Sequence, residues 1–140
     1  MAPVVVMTLC FGLIGCASSS SSTKPSDGDG DSCSKLMRKG NQVYIDIGYA
    51  GDGRPSATPD KCKVKPGTQI TWRNPGGDLR PFEIVFPGET PAATVDRRGL
   101  TAQMRDGRYK VVITAGNKTG TYKYGITANG ISVDPEIIIH

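Results

Sequence analysis

The chain has 140 residues, of which 37% are hydrophobic, and a formal net charge of +4 at pH 7. This excess is too small to indicate a nucleic-acid-binding protein, although it could favour an anionic surface such as a membrane or a cell-wall polymer. No run of about 20 apolar residues is present, so we expect no transmembrane helix in the mature chain.

The first fifteen residues are typical of an export signal. An apolar stretch of about 11 residues leads into Leu13-Ile14-Gly15-Cys16, and this length suits a signal-peptide core rather than a membrane span. The four residues resemble the lipobox of bacterial lipoproteins, which implies cleavage before Cys16 and transfer of a diacylglyceryl (palmitate-type) lipid to its thiol. One departure is that no Lys or Arg occurs in the first 23 residues. A plain secretory signal is the alternative.

Residues 16–32 are predicted to form a flexible, lipidated Ser/Gly/Asp linker. They contain no hydrophobic residue larger than Ala after Cys16, so they cannot offset the entropy lost on ordering. A chain of about 15 such residues spans roughly 20–25 Å. Ala17 stands where an Asp would resemble an inner-membrane retention signal, so we expect an outer-membrane anchor that faces the periplasm.

Residues 33–140 are predicted to form one all-β domain. From Gln42 onward, apolar residues recur at every second position, which is typical of half-buried strands. The sets expected to face the core are Val43/Ile45/Ile47, Cys62/Val64, Ile70/Trp72, Phe82/Ile84/Phe86, Tyr109/Val111/Ile113, Tyr122/Tyr124/Ile126 and the apolar stretch 137–139. Turn signals such as Asn129-Gly130 separate these sets, and another short strand is predicted at 93–96. Seven or eight short strands without helical spacing predict a β-sandwich.

Cys33 and Cys62 are the two cysteines that would remain in the domain after processing. An even pair in an exported protein indicates a structural disulfide, which here would tie the start of the domain to its sheet. Closing a loop of about 30 residues is worth roughly 3–4 kcal/mol in the chain-entropy model. A free redox or metal-binding pair is the alternative, but no nearby His or third Cys supports it.

Three segments resemble those of cupredoxins. They are KVKPGTQITWRN (63–74), PFEIVF (81–86) and GTYKY (120–124). In order and spacing they are similar to the family motifs V-x-x-G-x-x-V-x-W/F-x-N, P-H-x-V-x-F and G-x-Y-x-F/Y, the last of which leads into the copper-binding loop. The resemblance covers about residues 42–139 and implies a cupredoxin-like Greek-key β-sandwich.

The same resemblance implies where copper ligands would lie. A blue-copper site needs two His, a Cys thiolate and usually a weak axial ligand. The motifs place the first His at Phe82, the Cys at Ile126 and the second His near Asn129, and the axial Met has no counterpart. The only histidine is His140. We therefore expect a metal-free domain without cofactor, in which Phe82 and Ile126 fill the former metal pocket.

The densest basic segment is a candidate binding surface. It consists of Arg97, Arg98, Arg105, Arg108 and Lys110, diluted by Asp96 and Asp106. Its functional interpretation is contact with lipid headgroups or another anionic partner, and the alternative is a solvated hairpin face. A hydrolytic triad lacks its His and a zinc site lacks ligands, so no enzymatic activity is predicted.

The sequence therefore predicts a lipid-anchored lipoprotein of the bacterial envelope with a non-enzymatic binding or structural domain. Its partners would be the membrane, through the lipid, and an envelope protein or polymer that the sequence does not identify. A copper-handling or electron-transfer role with an atypical site is the alternative. An enzyme is a weaker third hypothesis, for which no set of residues can be named.

Overall fold

The computed structural model describes Cys33, residues 40–94 and residues 99–140. The predicted signal, the lipidated Cys16 and the rest of the linker lie outside these ranges, as do Arg97 and Arg98. Within the described ranges, no helix has the length and apolarity that a membrane crossing requires.

Short strands make up the regular structure of the described residues. They are β1 (Gln42–Tyr49), β2 (Pro55–Thr58), β3 (Lys61–Val64), β4 (Gln69–Arg73), β5 (Glu83–Val85), β6 (Gly99–Thr101), β7 (Gln103–Arg105), β8 (Arg108–Thr114), β9 (Gly120–Lys123), β10 (Gly125–Ala128), β11 (Ile131–Val133) and β12 (Glu136–Ile139). The predicted all-β class is therefore confirmed.

The first layer is a sheet of five strands in the order β2-β1-β4-β8-β7. β1 and β4 run parallel, and the other neighbours are antiparallel. Alternate residues of β1 (Val43, Ile45 and Ile47) are fully buried. The period of two places these β-branched side chains on one face of the sheet, where they pack well, and leaves polar residues on the other.

The second layer is built on one long hairpin. β9 and β10 run antiparallel to β12 and β11 in one unbroken register, from Gly120 opposite Ile139 to Ala128 opposite Ile131. β5 and β6 extend this layer beside β10, and β3 lies parallel to β12. The two smaller sheets, β11-β10-β5-β6 and β3-β12-β9, are therefore two parts of one layer.

Two tight turns close the hairpins as their sequences require. Asn129 and Gly130 have φ values of 52° and 77°, and Asp106 and Gly107 have values of 52° and 75°. Positive φ at both central residues is the requirement of a type I′ turn, which Asn-Gly and Asp-Gly satisfy at the lowest steric cost. The turn predicted at Asn129-Gly130 is thus confirmed.

The two layers enclose one hydrophobic core. Trp72 on β4 lies at its centre and is fully buried. Its ring meets that of Phe86 at a centroid distance of 6.4 Å and that of Tyr124 at 5.3 Å, both edge to face. Because Phe86 and Tyr124 belong to the second layer, these contacts join the two sheets of the sandwich.

A disulfide joins Cys33 to Cys62 of β3, as expected, with 4.9 Å between the two Cα atoms. Both residues are fully buried. The bridge closes across a sequence separation of 29 residues and fixes the start of the domain to the edge strand of the second layer.

The strand prediction was incomplete. β2, β6, β7 and β11 were missed, because each has only three or four residues, too few for a period of two to be recognised. Ala93 and Thr94 are not in a strand, and the rest of the predicted 93–96 segment lies outside the described residues. The chain forms its next strand at β6 and passes from the second layer to the first through the buried Ala102.

Candidate functional site

Two of the three positions implied for copper ligands are occupied by apolar core residues. Phe82 directly precedes β5 and is 2% exposed, and Ile126 lies in β10 and is fully buried. Ile126 is the register partner of Ile84, and the carbonyl oxygen of Phe82 accepts a hydrogen bond from the Ala102 N–H at 2.8 Å. Both side chains are part of the single core, and neither carries an atom that can bind copper.

The third implied position, Asn129, lies at an exposed hairpin tip. Only Asn129 and Gly130 separate β10 from β11, so the hairpin has no room for a longer ligand-bearing loop. Within the described ranges, no group of three or more His, Cys, Asp or Glu side chains could hold a metal ion. The residues at the three positions therefore do not fit a blue-copper centre.

A buried asparagine organises the loop that leads to Phe82. Asn74 is fully buried, and its amide N–H donates to the Arg80 carbonyl at 2.5 Å while its Oδ1 accepts from the Tyr49 hydroxyl at 2.9 Å. The Arg80 guanidinium lies 3.8 Å from the centroid of the Tyr49 ring. It also binds the Asp78 carboxylate, which holds the pKa of Asp78 below its usual value.

The contacts that join Tyr49, Asn74, Asp78 and Arg80 are a structural feature that the sequence interpretation missed. Asn74 ends the segment that resembles cupredoxins, but nothing local indicates that it bonds to Tyr49, a residue 25 positions away. Each of the four side chains is held by at least one of the others, so these contacts fix the loop between β4 and β5.

Three of the five candidate basic residues lie within the described ranges, around the Asp106-Gly107 turn. Arg105 pairs with Arg108 across the β7–β8 hairpin, and the Lys110 ammonium binds the Asp106 carboxylate at 2.9 Å. That contact holds the pKa of Asp106 below its usual value. The hairpin is therefore basic but partly neutralised.

A second basic surface, which the sequence interpretation did not identify, lies on the outer face of β3, β12 and β9. Lys61 is opposite Glu136, which is opposite Lys123, and in the next row Lys63 is opposite Ile138. The intervening residues of these strands, such as Cys62 and Ile137, are buried. Since side chains alternate between the two faces of a sheet, this set points outward.

Lys65 follows β3 at the next outward position and is exposed. We call Lys61, Lys63, Lys65 and Lys123 the lysine face. Lys61 forms an ion pair with Glu136 at 3.3 Å. Four lysines with one glutamate between them leave a net charge of +3 on this face.

A cleft of about 740 Å³ borders one end of the lysine face. It is lined by β2, by Asp60 beside β3 and by Asp134 between β11 and β12, together with Lys61, Lys123 and Glu136. Its charges have both signs and do not select an anionic or a cationic ligand.

Two polar atoms in the core have no hydrogen-bond partner among the described residues, Trp72 Nε1 and the Tyr124 hydroxyl oxygen. Burial raises the pKa of Tyr124 well above its ordinary value; the adjacent indole N–H lowers it in part, and the Asp60 carboxylate adds to the rise. The indole and the phenol nevertheless do not meet in a hydrogen bond of normal geometry. The Tyr124 hydroxyl therefore has no hydrogen bond of normal geometry to any described residue.

We expect Tyr124→Phe to leave the free energy of unfolding unchanged or to raise it by up to about 1 kcal/mol, because the hydroxyl has no hydrogen-bond partner among the described residues that the variant would lose. Above about pH 10, the unfolded phenol ionises while the buried one stays neutral, so the native chain loses stability and the variant loses less. Urea denaturation at pH 7 and pH 10.5 or so measures both effects.

Tyr122→Phe is the matched control for this prediction. Its hydroxyl donates to the Lys118 carbonyl at 2.8 Å, so its loss should cost about 1 kcal/mol. A Tyr124→Phe variant that is destabilised as much as the control would show that the Tyr124 hydroxyl does have a partner, such as a buried water.

No family model matches this chain, and no curated protein matches it. Among solved structures, it is similar to a mutant of amicyanin with Cu(I) (16% identity, TM-score 0.41, 78% of this chain and 90% of that chain). It is also similar to reduced rusticyanin (20%, 0.35, 74% and 82%) and to a purple cupredoxin from Nitrosopumilus maritimus (19%, 0.35, 69% and 98%). These likenesses concern the fold alone and carry no argument about what this chain binds.

Proposed function

We propose that the chain is a lipid-anchored lipoprotein of the bacterial envelope, whose cupredoxin-like domain is a non-enzymatic binding or structural module. The observation that carries the proposal is that Phe82 and Ile126, two of the positions implied for copper ligands, are apolar and packed in the core. In such a domain, the apolar side chains at the implied metal position stabilise the fold by their burial.

The other groups of the domain that could carry chemistry, namely its cysteines, its histidine and its paired carboxylates, also lack a reactive arrangement. The Cys33 and Cys62 sulfurs are joined to each other, so in this state neither is a thiolate that could bind metal or attack a substrate. His140, the single histidine, is exposed, and the described carboxylates that form ion pairs do so at the surface, with Lys or Arg partners. These features support a role that depends on surface contacts.

The proposed location at the membrane rests on the motif that ends at Cys16. Cleavage before this residue and lipidation of its thiol would anchor the chain in the outer membrane, facing the periplasm. A linker of residues 17–32 would then hold the domain within roughly 20–25 Å of the bilayer. Partners would be the membrane itself and an envelope protein or polymer that lies within this distance.

In-cell crosslinking combined with mass measurement of the Cys16 peptide tests this proposal. We expect a diacylglyceryl mass on Cys16 and one reproducible envelope partner, and we expect the partner to be lost in Cys16→Ser because that chain is no longer held at the membrane. An unmodified Cys16 would contradict the proposed membrane anchor. Stoichiometric binding of Cu(I) or Cu(II) by the purified chain would contradict the metal-free module and favour the copper-handling alternative.

A further inference from the structure

We propose that the lysine face docks the domain onto an anionic phospholipid bilayer. The proposal deepens the function above and rests on it for the identity of the membrane, which is the one that the Cys16 lipid would enter. The surface is assembled from strands that are distant in sequence, since β3 and β12 are neighbours in the sheet but are separated by about 70 residues in the chain.

The charge of the face is complementary to lipid headgroups. Lys61 and Lys123 lie on either side of Glu136, and Lys63 and Lys65 continue the row along the edge strand β3. Glu136 is the only acidic residue in the paired rows of this three-stranded sheet. Asp60 and Asp134 lie at the end that borders the cleft, with Lys61 and Lys123.

The shape of the face also suits a bilayer surface. A small sheet presents its long cationic side chains side by side, with the half-buried Ile138 between them. Lysine side chains can lay their methylene groups along apolar surface while the ammonium reaches phosphate. Two clefts adjoin the face, the one of about 740 Å³ beside Lys61 and Lys123 and one of about 540 Å³ that Lys123 lines together with Lys118 and Glu89. Both are lined by both signs of charge, so neither selects a single soluble anion.

The attachment of the linker favours this face over the β7–β8 hairpin. Cys33 is bonded to Cys62, which lies between Lys61 and Lys63 in β3. The chain that leads from Cys16 is therefore fixed to the strand that begins the lysine face. The Debye length is about 8 Å at physiological salt, and the linker spans roughly 20–25 Å. The linker therefore allows this face to reach the bilayer, and the lysines attract the headgroups once the face lies against it.

Lysines on an edge strand have another known role, which is to prevent edge-to-edge pairing with a second sheet. β3 is the edge strand of its sheet, so this interpretation must be tested against the docking proposal. The two differ in their consequences, because a purely protective lysine affects self-association and leaves vesicle binding unchanged.

The test is cosedimentation of the full chain carrying Cys16→Ser with vesicles of phosphatidylglycerol and phosphatidylcholine, or of phosphatidylcholine alone. The apolar residues 1–15 give a background of binding to both kinds of vesicle. Above this background, we expect the chain to bind only the vesicles that contain phosphatidylglycerol. Lys63→Gln/Lys65→Gln/Lys123→Gln should weaken that binding about a hundredfold, since each lysine near an anionic surface contributes roughly fivefold. This variant retains the Lys61–Glu136 ion pair. As a further control, added salt of about 0.5 M should abolish the binding of the parent chain to the anionic vesicles.

Two matched variants complete the experiment. Lys63→Arg/Lys65→Arg/Lys123→Arg retains the charge and should bind like the parent chain. Arg105→Gln/Arg108→Gln/Lys110→Gln removes the same charge from the β7–β8 hairpin and should weaken binding less than threefold or so. Circular dichroism and urea midpoints establish that each variant is folded.

The proposal is overturned if the lysine-to-glutamine variant binds like the parent chain, whether or not it self-associates more. It is also overturned if the hairpin variant has the larger effect, or if vesicles of phosphatidylcholine alone bind equally well. An unlipidated Cys16 with charge-dependent vesicle binding would contradict the anchor and leave docking in place. A lipidated Cys16 with unchanged binding by the glutamine variant would contradict docking alone.

Discussion

Trp72→Ala is expected to lower the free energy of unfolding by about 3–5 kcal/mol, the usual cost of truncating a large core aromatic residue. Trp72 is fully buried and meets Phe86 and Tyr124 edge to face, so alanine would leave a cavity between the two layers. A loss of this size is a large fraction of the stability of a typical domain, about 5–15 kcal/mol. Since Trp72 is the only tryptophan, urea denaturation should be followed by circular dichroism.

Trp72→Phe and Val112→Ala are the controls for this variant. Phenylalanine retains an aromatic ring and removes an indole N–H for which the described part of the chain offers no hydrogen-bond partner, so we expect a smaller loss of stability than with alanine. Val112 lies on the outer face of β8 and is 40% exposed, and its truncation should cost less than about 1 kcal/mol. An alanine variant at Trp72 that is no less stable than Val112→Ala would contradict the central position of Trp72 in the core.

The second large effect is expected from the loss of the Cys33–Cys62 disulfide. In the chain-entropy model, opening a loop of about 30 residues costs roughly 3–4 kcal/mol, because the unfolded chain regains freedom. Cys33→Ala/Cys62→Ala should therefore lower the urea midpoint markedly without changing the native strand content. The urea midpoint of the variant is compared with that of the oxidised native chain by circular dichroism. Counting the free thiols of the native chain establishes that its bridge is intact.

Reduction of the native chain supplies the independent control. Dithiothreitol should lower the midpoint of the native chain once the bridge opens, and it should have no effect on the double alanine variant. Equal midpoints for the oxidised native chain and the double variant would show that the bridge does not stabilise the domain.

Local sequence was sufficient for the features that depend on neighbouring residues. The period-two pattern at Val43, Ile45 and Ile47 indicated a strand with one buried face, because side chains alternate in an extended chain. Asn129-Gly130 indicated a tight turn, because few residues adopt two successive positive φ values at low cost. The presence of a single histidine likewise argued against a blue-copper centre, because such a centre needs two imidazole ligands.

Features that depend on strand pairing could not be predicted in this way. The sequence resemblance assigned Ile126 to an implied ligand position, but its pairing with Ile84 depends on the register of two strands that are 42 residues apart. Asn74 could not be connected with Tyr49 for the same reason. The short strands β2 and β7 at the sheet edge show little apolar alternation, so their assignment depends on the neighbours with which they pair.

By itself, the sequence determined the all-β class, the hairpin turn and the disulfide pair, because each depends on local conformational preference or on the number of cysteines available. Only the tertiary structure decided which charges lie together. Lys61 and Lys63 alternate with buried residues in any strand, but they share a face with Lys123 only because β3 and β9 both pair with β12. Register between distant segments depends on the packing of the whole core, which no local pattern encodes.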